Sequence, residues 1–326
     1  MDATWLDDRG SLLTERCPLP LDAPFTSAQA RAWGVSRRTF ERLVRGGLIR
    51  RVLHEVYAVA QAPDDTMMRA AALSIVIPPT AVVTDRTAAW LYGVDILPRS
   101  AVTVAPPLNV VHLTDTRMRR PETDGRRRGL IPTDITSVHG VPVTTELRTA
   151  LDLGRLLWRF DALAAIDGFL RIGVPQDELI SEIARFRGYR GVRQLRILAR
   201  LGDPRSESVG ESGLRLHWYD AGLPRPELQF WIYDDDGTPV FRLDIADPDA
   251  RYAAEYDGVE FHSDEQDQDH DLDRREWIRR HRAWTIDPFT KKEVYRPHAY
   301  PVAQLQAGHQ EARRTMTLWT PGRRLV

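Results

Sequence analysis

Phe25-Thr-Ser-Ala-Gln-Ala-Arg-Ala-Trp-Gly34 and Ser36-Arg-Arg-Thr-Phe-Glu-Arg-Leu-Val-Arg45-Gly-Gly-Leu-Ile-Arg-Arg51 carry the signals that decide the fold of the N-terminal end. The first segment opens on capping residues and closes on Gly34, which predicts a short helix. Ser36 caps a second helix over residues 37–45, stopped by Gly46-Gly47. Phe40, Leu43 and Val44 recur in it at i, i+3 and i+4, an apolar stripe. Arg37, Arg38, Arg42 and Arg45 decorate the rest of its surface. Two short helices joined by a tight Gly-containing turn make a helix-turn-helix. Residues 48–59 then place strand-forming side chains on either side of a turn near His54-Glu55, which predicts a wing hairpin. This order suits double-stranded DNA. The second helix enters the major groove, its arginines reach phosphates or guanine edges, and Arg50 and Arg51 grip the adjacent backbone. The plainer alternative is a basic, solvated helix face.

Three words of this segment, Phe25-Thr-Ser-Ala-Gln-Ala, Gly34-Val-Ser-Arg-Arg-Thr-Phe and Leu48-Ile-Arg-Arg…Val56-Tyr-Ala, resemble the N-terminal winged helix of the AbiEi-type antitoxins. The resemblance implies a transcriptional autoregulator. The family usually has Gly before the Val-Tyr pair, where this chain has Glu55.

The remaining length bounds the answer. The chain has 326 residues and 37.2 kDa, enough for two or three domains. With 42% hydrophobic and 28% charged residues, collagen-like, disulfide-scaffold and wholly disordered classes are excluded. Cys17 is the only cysteine, so neither an internal disulfide nor a thiolate zinc site is available. No run approaches the ~20 apolar residues of a membrane span. The acidic start MDATWLDDRG lacks a secretory core segment, so a cytoplasmic protein without a membrane partner is expected. The net charge of -1 hides segregation. Between Thr26 and Arg51 seven arginines face only Glu41, a local +6. Between Asp234 and Asp273 fifteen acids face Arg242 and Arg251, a local −13. One end suits a polyanion and the other suits cations.

The expected domains are a winged helix-turn-helix (1–62), a helical α+β middle segment (63–202) and a C-terminal α/β domain (203–326). In the middle, Asp64-Asp65 caps a helix to Ile77, Thr84-Asp85 starts another, and a strand is expected over 101–105. Residues 117–128 read as an arginine-rich polar loop. A helical run from Thr144 reaches about Leu201, with amphipathic helices over 161–171 and 177–187. His112 and His139 stand alone, and no catalytic constellation is evident. The words Thr87-Ala-Ala-Trp-Leu-Tyr-Gly and Val143-Thr-Thr…Arg148-Thr-Ala-Leu-Asp152-Leu look like the remainder of an AbiEi-like architecture, a region which that resemblance links to regulation and partner contact, such as a cognate toxin.

The acidic end carries the chemistry. A helix is expected over 206–218, then strands over 228–233, 240–246 and 251–257, and one more after Trp284; residues 313–326 look peripheral. With an even hairpin loop around Pro248-Asp249, Asp244 faces Ala253, and Glu255 and Asp257 share its sheet face. An odd loop would put Asp244 on the other face. Three carboxylates on one face call for a hard cation such as Mg²⁺ or Mn²⁺. Such a site suits phosphodiester hydrolysis, because the metal polarises the phosphate and lowers the pKa of a bound water. Strand-borne Asp244 followed by Glu255-Tyr-Asp257 matches the layout of the PD-(D/E)xK nucleases, with Asp257 in place of Lys. The wider set, Glu211, Gly222-Leu-Pro…Pro226…Gln229, Asp244, Glu255-Tyr-Asp-Gly258, His262 and Asp271-Leu-Asp-Arg-Arg275, resembles the endonuclease-like domains related to very-short-patch-repair enzymes. That resemblance implies a restriction-endonuclease-like three-layer α/β fold. It makes Asp244 and Glu255 metal ligands, His262 a proton-transfer group and Glu211 a further acid. Arg274 or Arg275 would contact phosphate. Two functions follow as rivals: a metal-dependent endonuclease directed by the basic end, in defence, toxin–antitoxin or repair contexts, or a non-enzymatic regulator whose nuclease fold is silent. An acidic protein-interaction surface with no DNA role is the third, and the plainer alternative for the acid run is solvated surface.

Overall fold

Thr26 and Ser36 start the two N-terminal helices, and the capping geometry shows why. A computed structural model of the chain describes residues 5–7, 10–96, 108–112, 123–125, 129–258, 276–295 and 299–318. β1 (Phe25–Thr26) leads into α1 (Ser27–Ala32), where Thr26 Oγ1 accepts the Gln29 N–H and the Gln29 side chain accepts the Thr26 N–H. This reciprocal box satisfies two donors that a helix start leaves open. Ser36 Oγ accepts the Thr39 N–H at the start of α2 (Arg37–Arg45). Phe40 and Leu43 form the buried side of α2, while Val44, expected beside them, is exposed at the stripe's margin. β2 (Ile49–Leu53) and β3 (Val56–Val59) form the hairpin, and β1 completes a sheet of order β1-β3-β2. Phe25, Val35, Phe40, Leu43, Ile49 and Tyr57 meet in its core.

The described residues divide into two units, Met1–Asp152 and Leu153–Val326. The first continues with α3 (Thr66–Val76), capped by Asp65, then β4 (Ala81–Val83) and α4 (Asp85–Leu91). β4, β5 (Leu108–His112), β6 (Thr123–Gly125), β7 (Ile135–Val138) and β8 (Val141–Thr144) form a sheet of order β6-β5-β4-β8-β7. β6 is a correction to the arginine-rich loop, since it pairs parallel with β5. The rest of that loop and the strand expected over 101–105 lie outside the described residues. Arg148, on α5 (Glu146–Leu156), is buried between Asp134 at 2.5 Å and Asp152 at 2.9 Å.

In the second unit come α6 (Arg159–Arg171), α7 (Gln176–Glu182), α8 (Val192–Leu201) and α9 (Val209–Asp220). α7 is shorter than its expected range, because residues 183–186 tighten into a 3₁₀ turn. α6 and α9 are tied by a buried ion pair, Asp167–Arg215 at 2.5 Å. Next follow β9 (Glu227–Tyr233), β10 (Pro239–Asp247), β11 (Tyr252–Asp257), α10 (described over 276–282), β12 (Thr285–Thr290), α11 (Lys291–Val294) and α12 (Ala299–Leu318). The sheet order is β12-β11-β10-β9, with β12 parallel to β11 and the other pairs antiparallel. One face packs Leu214 and Trp218 of α9 and Leu305 and Ala312 of α12 against Ile245, Tyr252 and Ala254. The other packs Ile278 of α10 against Leu243, Ala246 and Ala253. Each such fully buried large side chain contributes about 1.5–3 kcal/mol. Residues 313–318, expected as part of a peripheral tail, continue α12 beyond the packed Ala312, and side chains 313–317 are exposed or half-buried. Gly308 permits that docking: a Cβ there would stand 2.0 Å from Asp287 Oδ2 and 2.7 Å from the Tyr252 ring. Among the described residues, no helix is long and apolar enough to cross a membrane.

Candidate nucleic-acid interface and acidic cluster

Arg38, Arg42 and Arg45 follow one another at i, i+4 and i+7, so a single side of α2 carries all three. With Gly46 they line an open depression, on the side away from buried Phe40 and Leu43. None of the three has a carboxylate partner among the described residues. Arg37 differs, since its Nε donates to Glu41 Oε1 at 2.9 Å. Like charges at these spacings cost a helix about 0.2–0.5 kcal/mol per pair. Arg42 and Arg45 recover part of that through their place in the last turn.

The hairpin arginines are less available. Arg50 Nη2 donates to the carbonyls of Ala62 and Pro63 at 3.3 Å, and its Nη1 lies 4.0 Å from Asp64. Arg51 lies over the Tyr57 ring at 5.7 Å and donates to its hydroxyl at 3.4 Å. Tyr57, a member of the Val-Tyr pair, thus orients the arginine nearer the solvent. Asp64 also takes a hydrogen-bonded ion pair from Arg69 at 2.8 Å, and the Arg69 bond holds its carboxyl below the usual range. At the turn, Glu55 adopts φ 63, in the left-handed region that favours glycine. The Ser27 hydroxyl donates to Glu55 Oε2 at 3.2 Å.

The β10–β11 register differs from the expected one by two residues. Ile245 faces Ala254, Ala246 faces Ala253 and Asp247 faces Tyr252. The cause is the turn. Asp247 Oδ1 accepts the N–H groups of Asp249 and Ala250, so the loop comprises residues 248–251, and Arg251 closes it at φ 50. The loop length is even, as the same-face reading required. Continued one step, this register sets Asp244 opposite Glu255 rather than Ala253. There the ladder ends, and Asp244 Oδ2 accepts the Tyr256 backbone N–H at 2.9 Å.

A change of strand phase accompanies this end. Leu228 and Ile245 belong to the core beneath α9, whereas Phe230 and Leu243, two residues away, belong to the opposite core. Residues two apart normally share a face, so both strands turn over at Gln229 and Asp244. Gln229 takes φ 56, a conformation that costs a non-glycine residue about 1–3 kcal/mol. Its Nε2 donates to Glu211 Oε2 at 2.9 Å, and the same oxygen accepts the Glu207 N–H. Glu211 and Glu255 are buried, and Asp244 and Asp257 are half-buried. His262, Arg274 and Arg275 lie outside the described residues. Among those described, no group of three or more His, Cys, Asp or Glu side chains could hold a metal ion. Mg²⁺ often takes only one or two carboxylates and completes its shell with water, and Asp244 and Glu255 offer oxygen donors of that kind. Glu211 is already occupied by two donors.

Two family models match the sequence. Residues 24–60 match the transcriptional regulator AbiEi antitoxin, and residues 80–201 match the AbiEi antitoxin C-terminal domain. Two uncharacterized proteins of Mycobacterium tuberculosis, from strains CDC 1551 / Oshkosh and ATCC 25618 / H37Rv, are each 36% identical over 265 residues. That alignment covers 80% of this chain and 93% of theirs. The expected AbiEi resemblance at the N-terminus and through the middle segment thus meets matching models on both stretches, and the chain belongs to the AbiEi antitoxin family, in one group with these mycobacterial relatives.

Proposed function

We propose that this protein is a DNA-binding transcriptional regulator of antitoxin type, in which residues 25–59 form a winged helix and α2 enters the major groove of double-stranded DNA. The observation that carries this is the row Arg38, Arg42 and Arg45, clustered on one side of α2 without carboxylate partners among the described residues. Such a row is unfavourable alone and favourable against phosphates, where each neutralised charge releases counterions. Arg51, held over Tyr57, supports the hairpin as the second contact. Arg50 contributes less, because it fastens the hairpin to residues 62–64. The family's toxin–antitoxin setting supports a cognate toxin as the protein partner. Footprinting on the DNA upstream of the protein's own gene tests the reading. Protection should persist in EDTA and vanish for Arg38→Gln/Arg42→Gln/Arg45→Gln. Protection by neither protein would overturn it.

A second reading, the metal-dependent endonuclease, is supported by the α-β-β-β-α-β order of residues 209–290 and by Asp244 at the point where the β10–β11 ladder ends. In it Asp244 and Glu255 hold Mg²⁺ or Mn²⁺. Asp257 and His262 adjust protonation, Arg275 meets phosphate, and Glu211 positions Gln229. A bound divalent ion supplies charge neutralisation and an acidified water. Plasmid DNA incubated with Mg²⁺, Mn²⁺ or EDTA separates the readings. Metal-dependent cutting lost in Asp244→Asn and Glu255→Gln supports the nuclease, and absence of cutting by protein that footprints normally removes it.

A further inference from the structure

Residues 183–202 contain six arginines, Arg185, Arg187, Arg190, Arg193, Arg196 and Arg200, and no acidic residue. Four of them recur at steps of three, from 187 to 196. The pattern straddles a loop and the start of α8, so helix periodicity does not reveal it.

Of the six, only Arg185 has a carboxylate partner among the described residues, Glu182 at 2.8 Å. Arg187, Arg193 and Arg196 line an open depression with Tyr189, a residue 53% exposed. The backbone beneath them is fixed. Gly188 and Gly191 adopt φ 83 and 79, and a Cβ on Gly191 would fall 1.8 Å from the Arg155 carbonyl oxygen. The Arg155 guanidinium lies 5.3 Å from the Phe186 ring centre and 5.6 Å from that of Tyr189, and it donates to the Arg190 carbonyl at 3.1 Å. This clamp delivers the start of α8, whose N-cap Gly191 offers no side-chain acceptor to the first N–H groups.

We infer that this loop and the first turns of α8 form a second nucleic-acid contact surface, separate from α2, which binds the phosphodiester backbone and offers Tyr189 as a stacking face. Guanidinium forks select phosphate oxygens, and so do the N–H groups of the first turn of α8 beyond Val192, whose own N–H donates to the Tyr189 carbonyl at 3.3 Å. A partly exposed aromatic ring among arginines suits an unpaired base. Four arginines repeated over three steps reach further than one free phosphate occupies, so the ligand is a polymer. The inference stands whether or not α2 binds DNA.

The test uses full-length protein in EDTA and fluorescence anisotropy on a duplex and a single strand, with salt varied fourfold. The variant is Arg187→Gln/Arg193→Gln/Arg196→Gln, checked against the wild-type melting temperature. Its affinity should fall at least about tenfold at the lowest salt. The slope of log K against log salt should flatten by about 2–3, near 0.9 per lost duplex phosphate contact. Arg193→Gln alone should flatten it by about 1, which keeps the test open if the triple variant unfolds. Tyr189→Ala should weaken the single strand more than the duplex. Unchanged affinity and slope on both nucleic acids would overturn the inference, also where inorganic phosphate raises the melting temperature of wild type alone, because that assigns a small-anion pocket. Loss in this variant with full binding by the α2 triple variant supports this surface and refutes the α2 reading. The reverse pattern does the opposite.

Discussion

The backbone N–H of Tyr256 donates to the Asp244 carboxylate at 2.9 Å, one step past the last paired rung of β10 and β11. A side chain thus takes the place of a ladder carbonyl. Asp244→Asn retains an acceptor there and should keep close to wild-type stability. Asp244→Ala removes it and should cost about 1–3 kcal/mol. Urea unfolding checks this, and the two variants give equal midpoints if the bond is idle. The asparagine variant is therefore the cleaner reagent for any cleavage assay.

The wing turn carries a strained residue. Glu55 sits at φ 63 and gains only an exposed hydrogen bond from Ser27. Glu55→Gly removes the left-handed cost, about 1–2 kcal/mol, and loses the weaker contact together with some chain entropy. A small rise in melting temperature is expected. A fall would show that the Ser27 bond outweighs the strain.

The buried pair between α6 and α9 should be sensitive to loss of one partner. Asp167 also accepts Ser212 Oγ at 2.6 Å and the Asp203 N–H at 2.8 Å. Arg215→Met leaves this carboxylate buried without its cation and should cost about 3–5 kcal/mol. Denaturant titration reads it; a loss under about 1 kcal/mol, the scale of an exposed pair, would contradict the account.

Asp287 gives a pH signature. Burial lifts its carboxyl above the usual range, and the bond donated by Tyr252 at 2.8 Å opposes this in part. The folded state holds the Asp287 proton more tightly than the unfolded chain does. Its contribution is therefore fully present below the unfolded value, near pH 3.9, and is lost as pH rises through the folded one. Asp287→Asn should accordingly raise the melting temperature at pH 7, and the gain should vanish below about pH 4. A gain of equal size at both pH values would assign it to packing instead.

Some of this was legible in the residues and some was not. Ser36, Phe40, Leu43 and Gly46 are local signals, so α2 was readable to its ends. The His54-Glu55 turn was too, because strand formers flank it on both sides. The β10–β11 register was not, since Asp247 forms its own turn through Asp249 and Ala250 and moves the pairing by two. Nor was the change of phase at Gln229, where a non-glycine residue takes a positive φ under tertiary constraint. Arg50 looked like a phosphate contact because charge alone does not reveal the carbonyls of Ala62 and Pro63 that hold it.

DNA binding by α2 needs no metal, and anisotropy on duplex DNA in EDTA measures it. Arg38→Gln/Arg42→Gln/Arg45→Gln should weaken binding more than about tenfold and flatten the salt slope by about 2–3. Arg37→Gln, at a position already neutralised by Glu41, should stay within about threefold of wild type. Equal affinities for the triple variant and the wild type, or binding that requires a divalent ion, would contradict the account.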